Sequence, residues 1–310
     1  MSRDGHGQLR LDTAVRQGAR RLAEAGLPSP RVDAEVLAAH VSALSRPALQ
    51  AALLTGTVLS EDAGSQLRAL VDRRAGGQPL QHLTGWAGFR RLSLAVGPGV
   101  FVPRPETELL AGWAIAAVCA AGPPDGRGTT VLDVGTGTGA IAAAVADEAP
   151  GARVLAIELD PVAHGWAARN LAGTGVELLA GDGTQLDARH PELAGQLDVL
   201  VANPPYIPLD AWESVPVDVR DHDPGMALWG GADGLAVITA LVAAAGRLLR
   251  PGGIVGIEHA DVQGGAVIDL LAGTGRFRDT RDHRDLAGRP RYTTACLSPP
   301  RAVASGTIQP

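Results

Sequence analysis

The stretch Val131-Leu132-Asp133-Val134-Gly135-Thr136-Gly137-Thr138-Gly139-Ala140 joins an apolar run of strand length to a glycine-rich turn and the start of a helix. From Thr129 to Ala272, further strand-like runs alternate with helical segments. This alternation is typical of a parallel sheet covered by helices on both faces. We therefore expect an α/β domain whose glycine-rich turn lies at the carboxyl edge of the sheet, where such folds bind nucleotides.

The other predicted elements continue this alternation. The predicted strands are Thr130–Val134, Arg153–Glu158, Val176–Ala180, Leu197–Ala202 and Ile254–Glu258, followed by a terminal hairpin over Phe277–Ser298 that turns at Leu286-Ala287-Gly288-Arg289. The predicted helices are Ala140–Ala149, Pro161–Ala172, Leu235–Leu249 and Val262–Ala272. We expect Arg250-Pro251-Gly252-Gly253 to close the third of these helices.

The first part of the chain has helical periodicity without strand alternation, which predicts a small all-helical N-terminal domain. Its predicted helices are Leu9–Ala25, Val32–Leu44, Pro47–Leu54 and Glu61–Ala75, the last with Ser60 as its N-cap. We expect a helical domain over residues 1–84, a hairpin and linker over 85–105, the α/β domain over 106–298 and a disordered tail over 299–310.

The composition argues against several classes of function. The chain of 310 residues has a formal net charge of -6, so non-specific binding to a nucleic-acid backbone is not expected as its main activity. Cys119 and Cys296 show no metal-ligand spacing, and none of the 8 His residues pairs with a nearby ligand. The N-terminus carries no apolar segment of a signal peptide. We expect a cytoplasmic protein with no metal and no membrane association.

The glycine-rich turn is compatible with two cofactors. Gly135, Gly137 and Ala140 match the dinucleotide pattern G-x-G-x-x-[G/A], and Glu158 ends the next strand, where it is positioned to bind ribose hydroxyls. The turn alone therefore does not separate NAD from S-adenosylmethionine. Asp182, after the third strand, is placed either to accept from an adenine amino group or to remain a solvated loop carboxylate.

A second motif, Asn203-Pro204-Pro205-Tyr206, follows the buried strand Leu197–Ala202. We call it the Asn203–Tyr206 slot, because an Asn side chain, two prolines without N–H groups and an aromatic ring suit a planar amide or amino group. The Asn203 side-chain oxygen and the Pro204 carbonyl are expected to accept the two N–H bonds of that group, and Tyr206 to pack on it. A plain loop break with two prolines is the alternative.

A third motif, Phe101-Val102-Pro103-Arg104-Pro105-Glu106-Thr107-Glu108, has two prolines that stiffen the backbone just before acidic residues suited to a helix start. It fits a rigid interdomain linker with an N-capped helix and fits equally a stiff lid edge over the cofactor.

Together these motifs resemble the peptide chain release factor N5-glutamine methyltransferases, as do Pro224–Leu235 and Leu249-Arg250-Pro251-Gly252-Gly253. The resemblance covers nearly the whole chain. It implies a Rossmann-like class I S-adenosylmethionine-dependent methyltransferase domain with a mostly parallel seven-stranded sheet, beside an N-terminal domain that recognises the substrate. The implied activity methylates the side-chain amide nitrogen of the glutamine in the Gly-Gly-Gln motif of class I release factors.

The resemblance also implies roles for residues. Cofactor binding is implied for Asp133, Gly135, Thr136, Gly137, Thr138, Gly139, Glu158, Asp182 and Asn203; catalysis and substrate binding for Asn203, Pro204, Pro205 and Tyr206; and a lid for Phe101, Pro103, Arg104, Pro105, Glu106 and Thr107. Two departures stand out. Gly183 replaces an aromatic residue that relatives often have, which removes the expected adenine stacking, and Asp223 replaces a frequent Glu.

Two other functions use the same residues. An adenine-N6 DNA or RNA methyltransferase would hold a flipped base in the Asn203–Tyr206 slot, but it calls for a basic recognition region that this chain lacks. A cofactor-sensing module without activity would keep the fold, and the retained Asn203 argues modestly against it, since the chain has only Asn170 and Asn203.

Overall fold

A computed structural model describes residues 9–123, 125–214, 220 and 222–299. The chain divides into two compact units. The described part of the first comprises the residues up to Trp86, Val96–Pro98, Arg220 and His222, and the second comprises Ala87–Ala95 and the described remainder of the chain from Gly99. The expected disordered tail, apart from Pro299, lies outside the described residues.

The first unit is built from five described helices, which confirms the expected helical N-terminal region. They are α1 (Leu11–Glu24), α2 (Pro30–Val41), α3 (Arg46–Thr55), α4 (Glu61–Ala75) and α5 (Leu80–Thr84). The Ser60 hydroxyl accepts from the Ala63 N–H at 3.2 Å and so caps α4 as predicted. Their core includes the buried residues Leu11, Val15, Leu22, Leu37, Leu49 and Leu67.

A buried ion pair joins α2 to α4 in this unit. The Arg74 Nε donates to Asp33 Oδ2 at 2.7 Å, and the two side chains are only 10% and 9% exposed. Arg74 Nη1 also donates to the Gln78 carbonyl at 3.0 Å. Removing one partner of such a pair leaves the other charge buried without compensation.

We therefore predict that Asp33→Ala lowers the free energy of unfolding by about 3–5 kcal/mol, measured by urea denaturation of the full chain. Glu24→Ala is the matched control, because it removes the exposed pair of Arg20 and Glu24, whose side chains are 77% and 61% exposed. That control is expected to cost less than about 1 kcal/mol. Equal losses for both variants would contradict the prediction.

The second unit contains a seven-stranded sheet and, apart from Trp86, a two-stranded hairpin of β1 (Trp86–Phe89) and β2 (Leu92–Ala95). The strands of the large sheet are β3 (Thr130–Val134), β4 (Arg153–Glu158), β5 (Glu177–Ala180), β6 (Leu197–Ala202), β7 (Leu249–Glu258), β8 (Phe277–Arg284) and β9 (Pro290–Leu297). Their order is β5-β4-β3-β6-β7-β9-β8. The first five in this order are parallel, whereas β9 is antiparallel to both neighbours. This confirms the expected mostly parallel seven-stranded sheet and its terminal hairpin.

The described helices of this unit are α6 (Thr107–Ala121), α7 (Ala140–Glu148), α8 (Pro161–Leu171), α9 (Leu186–Arg189), α10 (Gly225–Leu228), α11 (Ala236–Leu248) and α12 (Gly264–Gly273).

One expectation was wrong: Arg250–Gly253 does not close α11 but lies within β7. The helix ends at Leu248 because Leu249 is already extended and pairs with Leu197. The extra residues are accommodated as a bulge, since the register shifts between Leu197 and Val199.

Two apolar cores cover the two faces of the large sheet. Successive residues of β3 point to opposite faces, so Val131 packs with α6, α7 and α8 while Leu132 packs with α11 and α12. All six residues of β6 are buried, as expected for a central parallel strand. This packing fixes the carboxyl ends of β3 and β6 side by side. Among the described residues no helix is long and apolar enough to cross a membrane.

Candidate active site

The glycine-rich turn after β3 presents open backbone. Gly135 and Gly137 have φ of 68° and 60°, in the left-handed region that favours glycine, and a Cβ built on either would meet no atom within 4 Å. The Gly135 and Thr136 N–H groups both donate to the Ile157 carbonyl, at 2.9 and 3.1 Å. The turn is therefore held rigidly while the space beside its first two glycines stays free for a ligand.

The third glycine has a different role. Gly139 has φ of 82° and precedes α7, and a Cβ there would lie 2.9 Å from Leu171 Cγ of α8. Its small size is thus explained by packing of α7 against α8. Thr138, beside it, is buried, and its carbonyl accepts from Asn170 Nδ2 at 2.9 Å.

Asp133 lies under this turn and is 1% exposed. Its Oδ2 accepts from the Thr136 hydroxyl at 2.6 Å and from the Ala142 N–H at 3.1 Å, whereas its Oδ1 has no hydrogen-bond partner. Burial raises the pKa of Asp133 to about 7. The turn therefore encloses an acceptor oxygen that a cationic ligand group would stabilise.

Two further acids end neighbouring strands. The oxygens of Glu158, at the end of β4, accept from the N–H groups of Gly137 and Asp160 at 2.8 and 2.9 Å, which leaves lone pairs for hydroxyl donors. Asp182, after β5, accepts from both the N–H and the hydroxyl of Thr184, at 2.8 and 2.7 Å. Glu158 thus lies against the turn itself, while Asp182 caps the next turn of the chain.

The packing around Gly183 explains why this position carries no aromatic side chain. A Cβ on Gly183 would lie 2.3 Å from Val134 Cγ1 and 2.9 Å from Ile157 Cγ2. The backbone there packs directly on side chains of β3 and β4, so any larger residue requires the chain after β5 to move. The replacement of an aromatic residue by Gly183, noted in the sequence, is therefore explained by the close packing at this position.

The Asn203–Tyr206 slot follows β6, the strand next to β3. Val134 pairs with Ala202 at the ends of these strands, so the glycine-rich turn and the slot leave the same edge of the sheet from adjacent strands. Asn203 Nδ2 donates to the Thr107 hydroxyl at 3.1 Å. Thr107 is the first residue of α6 and is 4% exposed. The third motif thus contacts the second directly.

The backbone that leaves the slot is held by the chain between Pro224 and Gly234 and by Gln263. The Ile207 N–H donates to the Leu228 carbonyl, and the Gly230 N–H donates back to the Ile207 carbonyl, both at 2.9 Å. Gln263 Nε2 donates to the Tyr206 carbonyl at 3.0 Å. These bonds fix the backbone that leaves the slot. Burial raises the pKa of the Tyr206 hydroxyl, which keeps it a neutral donor.

Residues Phe101 to Thr107 lead into α6. The Arg104 guanidinium lies 4.8 Å from the centre of the Phe101 ring and donates to Asp223 Oδ2 at 2.7 Å, whose side chain is completely buried. Glu106 makes no capping hydrogen bond to α6. Pro103 and Pro105 flank Arg104, so the backbone that carries the guanidinium is stiff. Its partner Asp223 was noted in the sequence only because it replaces a Glu that is frequent in relatives.

Glu258, at the end of β7, is a site residue that the sequence analysis missed. It is 1% exposed, and its Oε2 has no hydrogen-bond partner. Burial raises its pKa to about 7. β7 pairs with β6, so Glu258 lies at the carboxyl end of the strand beside the slot. An acid at that position in the sequence was the signal by which Glu258 could have been found.

Glu258 makes stability depend on pH. Its pKa is about 7 in the folded state against an ordinary value of 4.5, so between these values the folded state binds more protons than the unfolded state. Stability therefore falls as pH rises, by about 2 kcal/mol between pH 5 and pH 8 from this group. We predict that Glu258→Gln makes the dependence shallower by that amount, measured by urea unfolding of the cofactor-free protein. Equal slopes for the variant and the wild type would contradict this.

Within the described residues, no group of three or more His, Cys, Asp and Glu side chains could hold a metal ion.

Comparisons with known proteins cover almost the whole chain. The model of the PrmC N-terminal domain matches residues 13–85, and that of the methyltransferase small domain matches residues 120–212. The chain is 49% identical over 281 residues to the release factor glutamine methyltransferase of Streptomyces coelicolor, covering 91% of this chain and 96% of that protein. It is 45% identical over 286 residues to that of Mycolicibacterium smegmatis (92% and 97% covered). With that of Mycobacterium tuberculosis it shares 43% over 312 residues (97% and 97%).

Proposed function

Because this chain belongs to the release factor glutamine methyltransferase family, we propose that it methylates the side-chain amide nitrogen of the glutamine in the Gly-Gly-Gln motif of class I release factors. The observation that carries the proposal is the placement of the open glycine-rich turn and the Asn203–Tyr206 slot on adjacent strand ends. A cofactor on the turn and a planar amide in the slot would then face each other across one sheet edge.

The residues around the turn fit S-adenosylmethionine, which supplies an electrophilic methyl group on a sulfonium when bound. The free space beside Gly135 and Gly137 admits a ligand against the backbone. The unpartnered Asp133 Oδ1 suits a cationic group, and Glu158 retains lone pairs for hydroxyls. Asp182 follows β5. We assign Asp182 and the residues from Thr136 to Gly139 to the same cofactor site.

The slot residues would hold the glutamine amide by hydrogen bonds. With Nδ2 engaged by Thr107, the Asn203 oxygen is left to accept one substrate N–H, and the Pro204 carbonyl is assigned to the other. An amide nitrogen is a weak nucleophile because its lone pair is delocalised. Two acceptors on its N–H groups fix its direction and favour the positive charge that it gains on attack. Positioning of this kind contributes about 7–11 kcal/mol in well-aligned reactions.

The remaining motifs are assigned by position. We propose that Phe101 to Thr107 forms a lid edge, held by the Arg104–Asp223 ion pair. We further propose that the N-terminal helical region, residues 1–84, which contains the five helices α1 to α5, recognises the release factor. The compartment of such a reaction is the cytoplasm, where release factors act.

The direct test incubates the purified protein with methyl-labelled S-adenosylmethionine and a class I release factor. Label is expected on the release factor and absent from a variant in which the Gly-Gly-Gln glutamine is replaced by alanine. An adenine-containing DNA duplex is the third substrate, and it is expected to stay unlabelled. Equal labelling of the wild-type release factor and its glutamine-to-alanine variant would overturn the proposal. Label on the DNA alone would also overturn it.

A further inference from the structure

The two prolines of the Asn203–Tyr206 slot cannot anchor it through backbone donors. Pro204 and Pro205 have no N–H groups, so hydrogen bonds can hold their backbone only where a carbonyl accepts. Among the described residues, no hydrogen bond reaches the carbonyl of either proline. The Pro204 carbonyl is thereby left for the substrate amide that is assigned to it, and the slot needs an anchor at another position.

The Tyr206 carbonyl provides this anchor, since it accepts from Gln263 Nε2 at 3.0 Å. The same nitrogen donates to the Asp233 carbonyl at 3.3 Å. Gln263 is 6% exposed, so solvent does not readily replace a donor that is lost there. One buried side chain therefore joins the end of the slot to the loop that packs against it.

The direction of the Gln263 amide follows from partners that can act in only one way. Its Oε1 accepts from the Ala260 N–H at 3.0 Å, and a backbone N–H can only donate. Its Nε2 faces the carbonyls of Tyr206 and Asp233, which can only accept. A reversed amide would set its oxygen against both carbonyls and its nitrogen against an N–H, so these hydrogen bonds determine the assignment.

Gln263 is itself held on a rigid base. Its N–H donates to the Ala260 carbonyl at 2.9 Å, and its carbonyl accepts from the Val267 N–H at 3.0 Å in the first turn of α12. Val267 is completely buried in the core beneath the sheet. On the other side, a Cβ on Gly234 would lie 2.2 Å from the Tyr206 oxygen and 2.6 Å from Gln263 Nε2. Packed backbone and the core therefore enclose the bond between Gln263 and Tyr206.

We propose that Gln263 is a positioning residue for methyl transfer, which fixes the Tyr206 carbonyl and thereby the direction in which the Pro204 carbonyl faces the substrate amide. The importance of that direction rests on the proposed function of the slot. Gln263 acts through the Tyr206 carbonyl, so the role requires no contact with the substrate or the cofactor. A side chain at the start of α12 thus controls the geometry at the end of β6.

Isotope labelling tests the hydrogen bond directly, because Tyr206 and Tyr292 are the only tyrosines of the chain. In protein labelled with ¹³C in the tyrosine carbonyls and ¹⁵N in isoleucine, a carbonyl–nitrogen correlation detects Tyr206 alone, since isoleucine follows only that tyrosine. The variants Gln263→Met and Gln263→Leu keep most of the side-chain volume and lose the donor. Both are expected to move the Tyr206 signal upfield, because an accepted hydrogen bond deshields a carbonyl carbon. An unchanged signal in either variant would overturn the proposal.

Asp198→Ala is the matched control for lost stability. Asp198 is 9% exposed and accepts from the Thr130 N–H at 2.8 Å, at the opposite end of β6 from the slot. Its removal is expected to lower the free energy of unfolding, measured by urea denaturation, without moving the Tyr206 signal or lowering kcat.

Kinetics then separate positioning from folding. Gln263→Met is expected to lower kcat about 10- to 100-fold, while the Kd for S-adenosylhomocysteine stays within a few-fold of the wild type. An unchanged kcat, a loss no larger than that of Asp198→Ala, or a matching loss of cofactor affinity would overturn the positioning role. Failure of the wild type to label release factor would instead contradict the proposed function, and the Tyr206 signal would still decide whether Gln263 holds the slot.

Discussion

Replacement of Asn203 by alanine is expected to lower kcat about 10²- to 10³-fold while leaving the Kd for S-adenosylmethionine within a few-fold of the wild type. The loss follows from removing one of the two acceptors that would hold the substrate amide, which are the Asn203 oxygen and the Pro204 carbonyl. The glycine-rich turn is built on β3 and anchored on β4, so it does not depend on the Asn203 side chain. Single-turnover methylation of release factor gives the rate, and calorimetry gives the cofactor affinity.

Asn170→Ala is the control for the first experiment. It removes the other asparagine, whose bonds to Ala95 and Thr138 are structural, and it is expected to lower stability more than kcat. Thermal unfolding of both variants separates the two effects. If Asn203→Ala lost cofactor binding in proportion to turnover, the role of Asn203 as a substrate acceptor would be wrong.

Replacement of Gly137 by alanine is expected to weaken S-adenosylmethionine binding about 100-fold. The backbone there has φ of 60°, so an L side chain adds about 1–2 kcal/mol of strain. Its Cβ would enter the space that no atom fills within 4 Å, where the cofactor is assigned. The Gly137 N–H also donates to Glu158 at 2.8 Å, so a shift of the turn disturbs the assigned ribose acceptor. Calorimetric titration with S-adenosylhomocysteine measures the loss.

Gly128→Ala separates strain from obstruction. Gly128 has φ of 85°, and a Cβ there also meets nothing within 4 Å, but it precedes β3 at the opposite end of the strand from the turn. Both variants are expected to lose similar stability, and only Gly137→Ala to lose affinity. A Gly128→Ala variant that bound as weakly, or a Gly137→Ala variant that bound normally, would show that the turn does not hold the cofactor.

The sequence was most informative where one residue pattern specifies one local structure. Thr130–Val134, Arg153–Glu158 and Leu197–Ala202 were predicted with the bounds that the structure gives, because buried parallel strands are continuous apolar runs. The Arg250–Gly253 prediction failed because Pro and Gly commonly follow helices. Here the same residues form a bulge opposite Leu197, which only strand pairing reveals.

For the site, the sequence by itself determined the strand ends, the glycine-rich turn and the Asn203–Tyr206 slot, since each is a local arrangement written in consecutive residues. The tertiary structure alone decided which side chains meet there. Thr107 and Asn203 are 96 residues apart, and Glu258 comes from a third element. Pairing of β6 with β7 places Asn203 and Glu258 at neighbouring strand ends, and packing of α6 against these two strands brings Thr107 to them. Local periodicity carries no information about contacts between distant elements, so the hydrogen bond between Asn203 and Thr107 follows only from the fold.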